Sequence, residues 1–234
     1  MFTRRILLGA LALTAALVTG CSSSGSSPTP SGPSLPDAAG LLKDAAAATG
    51  AITSAHFTVK TNGTVPGLSV QDLDGDLSKS GGPSGSAKGT GKLSVGGQLV
   101  EVEFVLVDSS LYIKGPTAGF QKIPAALGAS IYDPSAVLDP NRGISKVLLS
   151  IQNPKTEAKE DVNGQSTYKV SGKIAKDVLT GLLPGLESDA DITFCLQESG
   201  KHLPVKASAK LPGDASVDVT LSDVDKPVTV TAPA

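Results

Sequence analysis

From residue 55 onward, apolar and polar residues alternate along most of the chain. Ala55, Phe57 and Val59 alternate with His56, Thr58 and Lys60, and Val100, Val102, Phe104 and Leu106 alternate with Glu101, Glu103 and two further apolar residues, Val105 and Val107. A period of two is that of a strand with one face turned inward. The same reading holds at Leu93 and Val95, Leu111 and Ile113, Tyr168 and Val170, Ala190 to Leu196, Leu203 to Ala209, Val217 to Leu221, and Val228 and Val230. About ten strands are predicted. Asn163-Gly164 separates 155–162 from 166–171, and Glu198-Ser199-Gly200 separates 188–197 from 202–211. Both are hairpin signals, so neighbours pair antiparallel.

Three stretches change period. Residues 37–50, DAAGLLKDAAAATG, place Ala38, Leu41, Leu42, Ala45 and Ala48 on one side and end at Gly50, which predicts a short helix. Ile144, Val147, Leu148 and Ile151 fall at i, i+3, i+4 and i+7, and Ile174, Val178 and Leu182 form another stripe ended by Pro184-Gly185. Ile131-Tyr132-Asp133-Pro134 leads into a turn at Ser135–Leu138. The expected fold class is therefore α+β, a single curved antiparallel sheet with about four helices. A twisted sheet of that size curls, and the helices that interrupt the strand order can fold over its apolar face. Periodicity alone does not separate an aliphatic cavity beneath those helices from a packed core.

Residues 1–20 stand apart. Arg4 and Arg5 precede an apolar stretch of thirteen residues, Ile6 to Val18, too short to span a bilayer about 30 Å thick, and it ends in Val18-Thr19-Gly20-Cys21. This is a signal peptide ending in what resembles a bacterial lipobox, with Cys21 as the lipidated N-terminus of the mature chain. Thr3-Arg4-Arg5-Ile6-Leu7 also loosely matches a twin-arginine signal, so the export route stays open. Residues 21–36 form the lipidated cysteine and a Ser/Gly/Pro tether with a span of roughly 20 Å, and 37–234 form the folded domain. An exported, lipid-anchored chain on the outer face of the inner membrane is expected, with cell wall or secreted forms also open. Removal of the signal peptide leaves 18 basic against 22 acidic side chains. That sign does not hold a protein to anionic headgroups, so attachment falls to the lipid.

The remaining inventory excludes several chemistries. His56, His202, Cys21 and Cys195 are the whole supply of His and Cys, there is no Trp, and aromatics make up 3% of the chain. No metal, cofactor or nucleic acid is expected. Gly143-Ile144-Ser145 and Gly164-Gln165-Ser166 lack the second glycine of a nucleophile elbow, and Ser166-Thr167-Tyr168-Lys169 alternates as a strand where S-x-x-K needs a helix turn. The glycines of 81–97 do not spell a phosphate loop and read as a loop entering a strand with a small inner face. Asp72, Asp74 and Asp76 lack the spacing of a calcium loop and lie on a solvated strand face. Cys195, between Phe194 and Leu196, reads as an inert sheet residue. No enzyme is expected, and an esterase or transferase ranks last.

Several strings, in order, resemble the mycobacterial lipoprotein family of LppX, LprA, LprF and LprG, and its LprG branch most. They are Val65-Pro66-Gly67-Leu68, Gly75-Asp76-Leu77, Ile131-Tyr132-Asp133-Pro134, Val137-Leu138-Asp139-Pro140, Val162-Asn163-Gly164, Gly200-Lys201-His202-Leu203, and Thr220-Leu221-Ser222 through Pro227-Val228-Thr229-Val230. Where the family pattern carries tryptophans, this chain has Phe194-Cys195 and Val224-Asp225. The resemblance implies a half-barrel with helices on its concave side and a large apolar cavity between. It also implies a ligand of the triacylated glycolipid, lipoarabinomannan-type lipoglycan or triacylglycerol class, and, in the LprG branch, a major-facilitator efflux pump as partner. A monomer is expected. On this reading the cavity is lined by Gly91, Leu93, Val95, Val102, Phe104, Leu106, Ile144, Leu148, Ile151, Val178 and Leu182. The alternative is a surface interaction lipoprotein whose core is filled and which carries no lipid.

Overall fold

A computed structural model describes residues 34–82, 84–129 and 133–233. The signal peptide, Cys21, most of the tether, and Ile131 and Tyr132 of the family-like strings lie outside the described residues. Leu35–Ala234 forms one compact unit.

The unit is an open sheet of eleven antiparallel strands in the order β6-β5-β4-β3-β2-β1-β11-β10-β9-β8-β7. Strands β1 (Ser54–Asn62), β2 (Val70–Ser78), β3 (Ser86–Val95), β4 (Gln98–Val107), β5 (Ser110–Lys114) and β6 (Gln121–Pro124) run from the middle of the sheet to one edge. The chain then crosses to the far edge and returns through β7 (Gln152–Val162), β8 (Gln165–Ile174), β9 (Ala190–Gln197), β10 (Pro204–Lys210) and β11 (Ser216–Ser222), where β11 pairs with β1. Each of these meander steps is a local antiparallel connection, but the passage from β6 to β7 spans the whole sheet. That passage holds α2 (Ala125–Gly128), a 3-10 turn at Pro134–Ala136 and α3 (Ile144–Leu149). Of its apolar residues, Ala136, Val137, Leu138, Ile144, Val147 and Leu148 are buried while Leu127 and Leu149 face outward, so one side of it lies against the apolar face.

Register fixes which residues share a face. Phe57, Gly75, Gly89 and Phe104 lie in line across β1 to β4, as do Val59, Leu73, Gly91 and Val102. Ala209, Ile192 and Gly172 continue the inner face on the other half. The outer face carries Lys60, Thr58 and His56 opposite Asp72, Asp74 and Asp76. His56 Nδ1 lies 2.9 Å from Asp76 Oδ1 and Nε2 3.7 Å from Asp74 Oδ2, so this acidic row is the solvated face its alternation predicts.

Helix α1 (Ala38–Gly50) starts at Asp37, whose side chain accepts from Gly40 N at 2.7 Å, and buries Leu41, Leu42, Ala45 and Ala46. A capping acceptor and an Ala/Leu face suffice to set this helix. Ser145 Oγ donates to Ala46 O at 2.8 Å, tying α3 to α1.

Four expectations change. The sheet has eleven strands, the extra one being β6. Helix α3 ends at Leu149, so Ile151 stands between helix and strand and packs its Cγ2 over Gly172, where a Cβ would meet it at 2.4 Å. Ile174 pairs with Ala190 at the end of β8, and only Lys176–Leu179 is helical (α4), because the ladder takes Ile174 out of the helix. Val228 and Val230 form no strand. Pro227 lacks an N–H for a ladder, and the segment instead crosses the outer face. Ser54 Oγ donates to Lys226 O at 2.6 Å and Lys88 Nζ to Thr229 O at 3.0 Å.

Candidate functional site

Two narrow apolar clefts lie between the inner face and the segments that cross it. The first is bounded by Leu73, Leu93, Val102, Phe104, Leu111 and Ile113 of β2 to β5, and roofed by Gly128 of α2 and Pro134. The second is bounded by Val59, Ile192, Phe194, Ala207 and Val219 on the sheet, and roofed by Val137, Ile144, Val147, Leu179, Leu182 and Leu183. Their free volumes are about 50 and 60 Å³. Ligand pockets for small molecules commonly enclose about 300 to 1,000 Å³, so in both clefts the described part of the roof sits close on the sheet, and neither cleft is the large cavity that the family resemblance implies. Leu148 and Val147 on α3 and Leu183 and Leu186 after α4 are buried against the same core, and they occupy that space.

The eleven residues expected to line a cavity are distributed unevenly. Leu93, Val102 and Phe104 bound the first cleft, and Ile144 and Leu182 the second. Gly91 lies on the same face of β3, and a Cβ there would meet Leu73 Cδ2, a wall of the first cleft, at 2.5 Å. Leu106 and Leu148 are buried in the core outside both clefts, and Ile151 and Val178 are half-buried against it. Val95 is exposed, beyond the last pairing of β2 with β3 at Leu93.

The sequence pattern does not single out Gly89, Val59 or Phe194, nor Val137, Val147, Leu179 and Leu183 of the second cleft's roof. Their alternation was visible, but which strands border a cleft depends on where the crossover lies. At Gly89 the strands approach so closely that a Cβ would stand 2.2 Å from Asp74 O and 2.9 Å from Phe104 Cζ. The ring of Phe104 covers that glycine pair, as aromatic side chains do over strand glycines.

The segment from Asp133 to Arg142, which supplies Pro134 to the first roof and Val137 to the second, is stapled. Arg142 donates from Nη1 to Asp133 Oδ2 at 3.2 Å and from Nε to Asp139 Oδ2 at 3.1 Å, and Asp133 Oδ1 accepts from Ser135 N at 3.0 Å. Burial pushes the Asp139 carboxyl up, but the Asn141 N–H and the Arg142 guanidinium outweigh it and hold it below its ordinary value of 3.8. A depressed carboxylate adds stability above its unfolded pKa, and that share is lost as pH falls through the folded value.

Larger hollows exist on the outer face, about 690 Å³ over β7 to β10 and about 440 Å³ over β2 to β5. They are lined by ion pairs such as Lys173 with Asp191 at 2.8 Å and Lys92 with Glu101 at 3.4 Å. Such charged walls suit acyl chains less well than the two clefts do. Cys195 opens toward the first of these, its Sγ donating to Glu160 Oε1 at 2.9 Å. Burial, then the neighbouring Glu160, push the thiol up to about 12 from 9.0. The native thiolate population at pH 8 falls about a thousandfold below that of the unfolded chain. Iodoacetamide at pH 8 should therefore leave Cys195 unlabelled over hours in the native chain and label it within minutes in denaturant, as read by peptide mapping.

Among the described residues, no group of three or more His, Cys, Asp and Glu side chains is placed to hold a metal ion.

Residues 37–230 match the profile described as LppX_LprAFG lipoprotein. The lipoarabinomannan carrier protein LprG of Mycobacterium tuberculosis (strain H37Rv) is 37% identical over 234 residues, covering 98% of this chain and 95% of that one. LprG of Mycolicibacterium smegmatis is 37% identical over 236 residues, covering 100% and 97%. Among solved structures, LprF from Mycobacterium bovis superposes with a TM-score of 0.72 at 27% identity, over 84% of this chain and 97% of that one. LppX from M. tuberculosis superposes at 0.63 and 24% identity, over 83% and 98%, and shares the fold. A profile spanning the entire sheet, near full-length relatives and the same open eleven-strand architecture together establish that this chain belongs to the LppX_LprAFG lipoprotein family.

Proposed function

We propose that this protein is a non-enzymatic carrier, anchored to the envelope through lipidated Cys21, that takes acyl chains of a lipoglycan or triacylglycerol under its roof and helps move them across the envelope. The observation that carries the reading is the pair of clefts on the inner face, walled by aliphatic and aromatic side chains and roofed by helices of four to six residues. Relatives at 37% identity are named lipoarabinomannan carriers, which supplies the class of cargo. Each buried CH₂ is worth about 0.8 kcal/mol, so a sixteen-carbon chain represents on the order of 12 kcal/mol in water. Cargo of that kind is handed over only against a membrane or a partner protein. The partner that the family resemblance suggests is a major-facilitator pump, with the carrier acting as a monomer.

The carrier reading requires the roof to lift, since neither cleft accepts an acyl chain as it stands. Short helices joined by loops are the segments of lowest local stability in such a fold. The narrowness of the clefts favours the second reading, a filled-core interaction lipoprotein. Native mass spectrometry of protein extracted from its own envelope separates the two. Added masses matching acylated lipids, lost on delipidation and regained on reloading from vesicles, are expected. A bare protein mass that never acquires lipid would leave the filled core as the answer.

A further inference from the structure

The turn between β3 and β4 is built unlike the others. The last β2 pairing with β3 is Val70 with Leu93, followed by one hydrogen bond from Ser94 N to Ser69 O at 2.7 Å. On the other side, β5 leaves β4 at the pairing of Glu103 with Lys114. The hairpin from Val95 to Leu99 therefore projects beyond its neighbours. Residues 93–100, LSVGGQLV, carry no charge and are bracketed by Lys92 and Glu101, which pair with each other. Val95 is 60% exposed and Leu99 66%. They lie on opposite faces, since Val95 pairs with Gln98 and Leu99 with Ser94. A Cβ on Gly96 or Gly97 would meet nothing within 4 Å.

We propose that this hairpin tip is a membrane-docking element that enters the headgroup zone of a lipid bilayer and sets the mouth of the first cleft against it. Gly96, where the turn begins, lies three residue steps beyond Leu93, which lines the cleft, a reach of about 10 Å at 3.3 Å per residue. That matches the depth of about 5–10 Å to which interfacial elements embed. Val95 continues the inner face from Leu93 outward, giving an acyl chain an apolar path from bilayer to cleft. Two exposed apolar side chains are too small a contact for a second protein, which needs roughly 1,200 Å², whereas a fluid bilayer needs no shape complement. Charge gives no alternative attachment, because the mature chain is net acidic. The rim that carries this turn also carries the start of β7 at Gln152, across the sheet. Pro36 is held in the half of β7 nearer that rim, its carbonyl accepting from Thr156 Oγ1 at 2.9 Å.

The chain contains no Trp, so Leu99→Trp provides a single reporter in the full, acyl-anchored protein. In phosphatidylcholine vesicles its emission should shift to the blue and be quenched by lipids brominated high on the acyl chain. Ser199→Trp, on the turn at the opposite rim, should remain water-like. A second variant, Val95→Asp with Leu99→Asp, should slow lipid transfer between vesicles at least tenfold at an unchanged unfolding temperature. An unquenched indole in L99W, equal quenching at both positions, or unchanged transfer by the double variant would overturn the docking. The inference extends the carrier reading but is judged separately. If the unsubstituted chain transfers no lipid, the carrier reading fails, and quenching alone still decides whether the tip docks.

Discussion

Gly91→Trp is expected to leave the chain folded and to lower the acyl lipid bound to it at least tenfold. Gly91 pairs with Val102 in the β3–β4 ladder, and its Cβ position points at Leu73, a wall of the first cleft. A Cβ there meets Leu73 Cδ2 at 2.5 Å and Asp72 O at 3.1 Å. The nearer atom is the end of a flexible side chain, which can swing away, so the backbone ladder holds. An indole at this position must push Leu73 aside and lie across Leu93 and Val102, which occupies the cleft mouth. Overpacking of this kind costs about 1–3 kcal/mol, a fall in melting temperature of roughly 2–4 °C per kcal/mol for a chain of this size. Lys92→Trp is the matched control, since its neighbouring side chain stands on the exposed outer face. Mass spectrometry of lipid carried by each purified variant is the measurement. A G91W protein that keeps the full load would show that acyl chains lie elsewhere, and the second cleft would become the remaining site on the inner face.

Strands were the most legible feature of the sequence because their signal is local. The alternation of Phe57 and Val59 with Thr58 and Lys60 needs one buried face and nothing more, and Asn163 and Gly164, both at positive φ, close β7 onto β8 by turn chemistry alone. The helices after α1 were harder to read. Ile144, Val147 and Leu148 form a stripe in sequence and in structure, yet Ile151 and Ile174 extend their stripes only on paper, because strand pairing claims Gln152 and Ile174 first. At 228–230 the alternation looked like an edge strand, but no neighbouring strand edge remained, since β11 is already paired on both sides by β1 and β10. The clefts were least legible of all. Phe104 and Ile144 face inward and border a cleft, but inward-facing residues such as Leu106 and Leu148 pack solidly. Whether an inward residue borders open space is set by how the segment from Ala125 to Leu149 lies across the sheet, and no periodicity records that.

In that crossing segment a single methyl group should have a large effect. Gly143 begins α3 with extended backbone, and a Cβ on it would stand 2.3 Å from Val137 O, 2.4 Å from Ala136 O and 2.6 Å from Asp139 O. All three are backbone oxygens held by the loop's own hydrogen bonds, Gly143 N to Asp139 O at 2.7 Å and Ile144 N to Val137 O at 3.1 Å. Nothing there can yield without opening the loop. Gly143→Ala is therefore expected to cost the roof about 3 kcal/mol, at the upper end of overpacking, while the sheet ladder stays intact. At 1.4 kcal/mol per tenfold, hydrogen exchange at the amides of Ile144 and Val147 should accelerate more than a hundredfold, with ladder amides such as those of Val59 and Phe194 changed less than threefold. Arg142→Gln removes the staple between Asp133 and Asp139, but this guanidinium is half exposed, and loss of such pairs costs only about 1 kcal/mol or less. If the roof is what admits acyl chains, the two variants should rank in the same order by the rate at which they take up an apolar fluorescent probe, G143A well ahead of R142Q and R142Q ahead of the unsubstituted chain. Faster exchange at Ile144 with no gain in uptake would mean that the roof can open without exposing a lipid site, and the filled-core reading would then account for the molecule better than a carrier does.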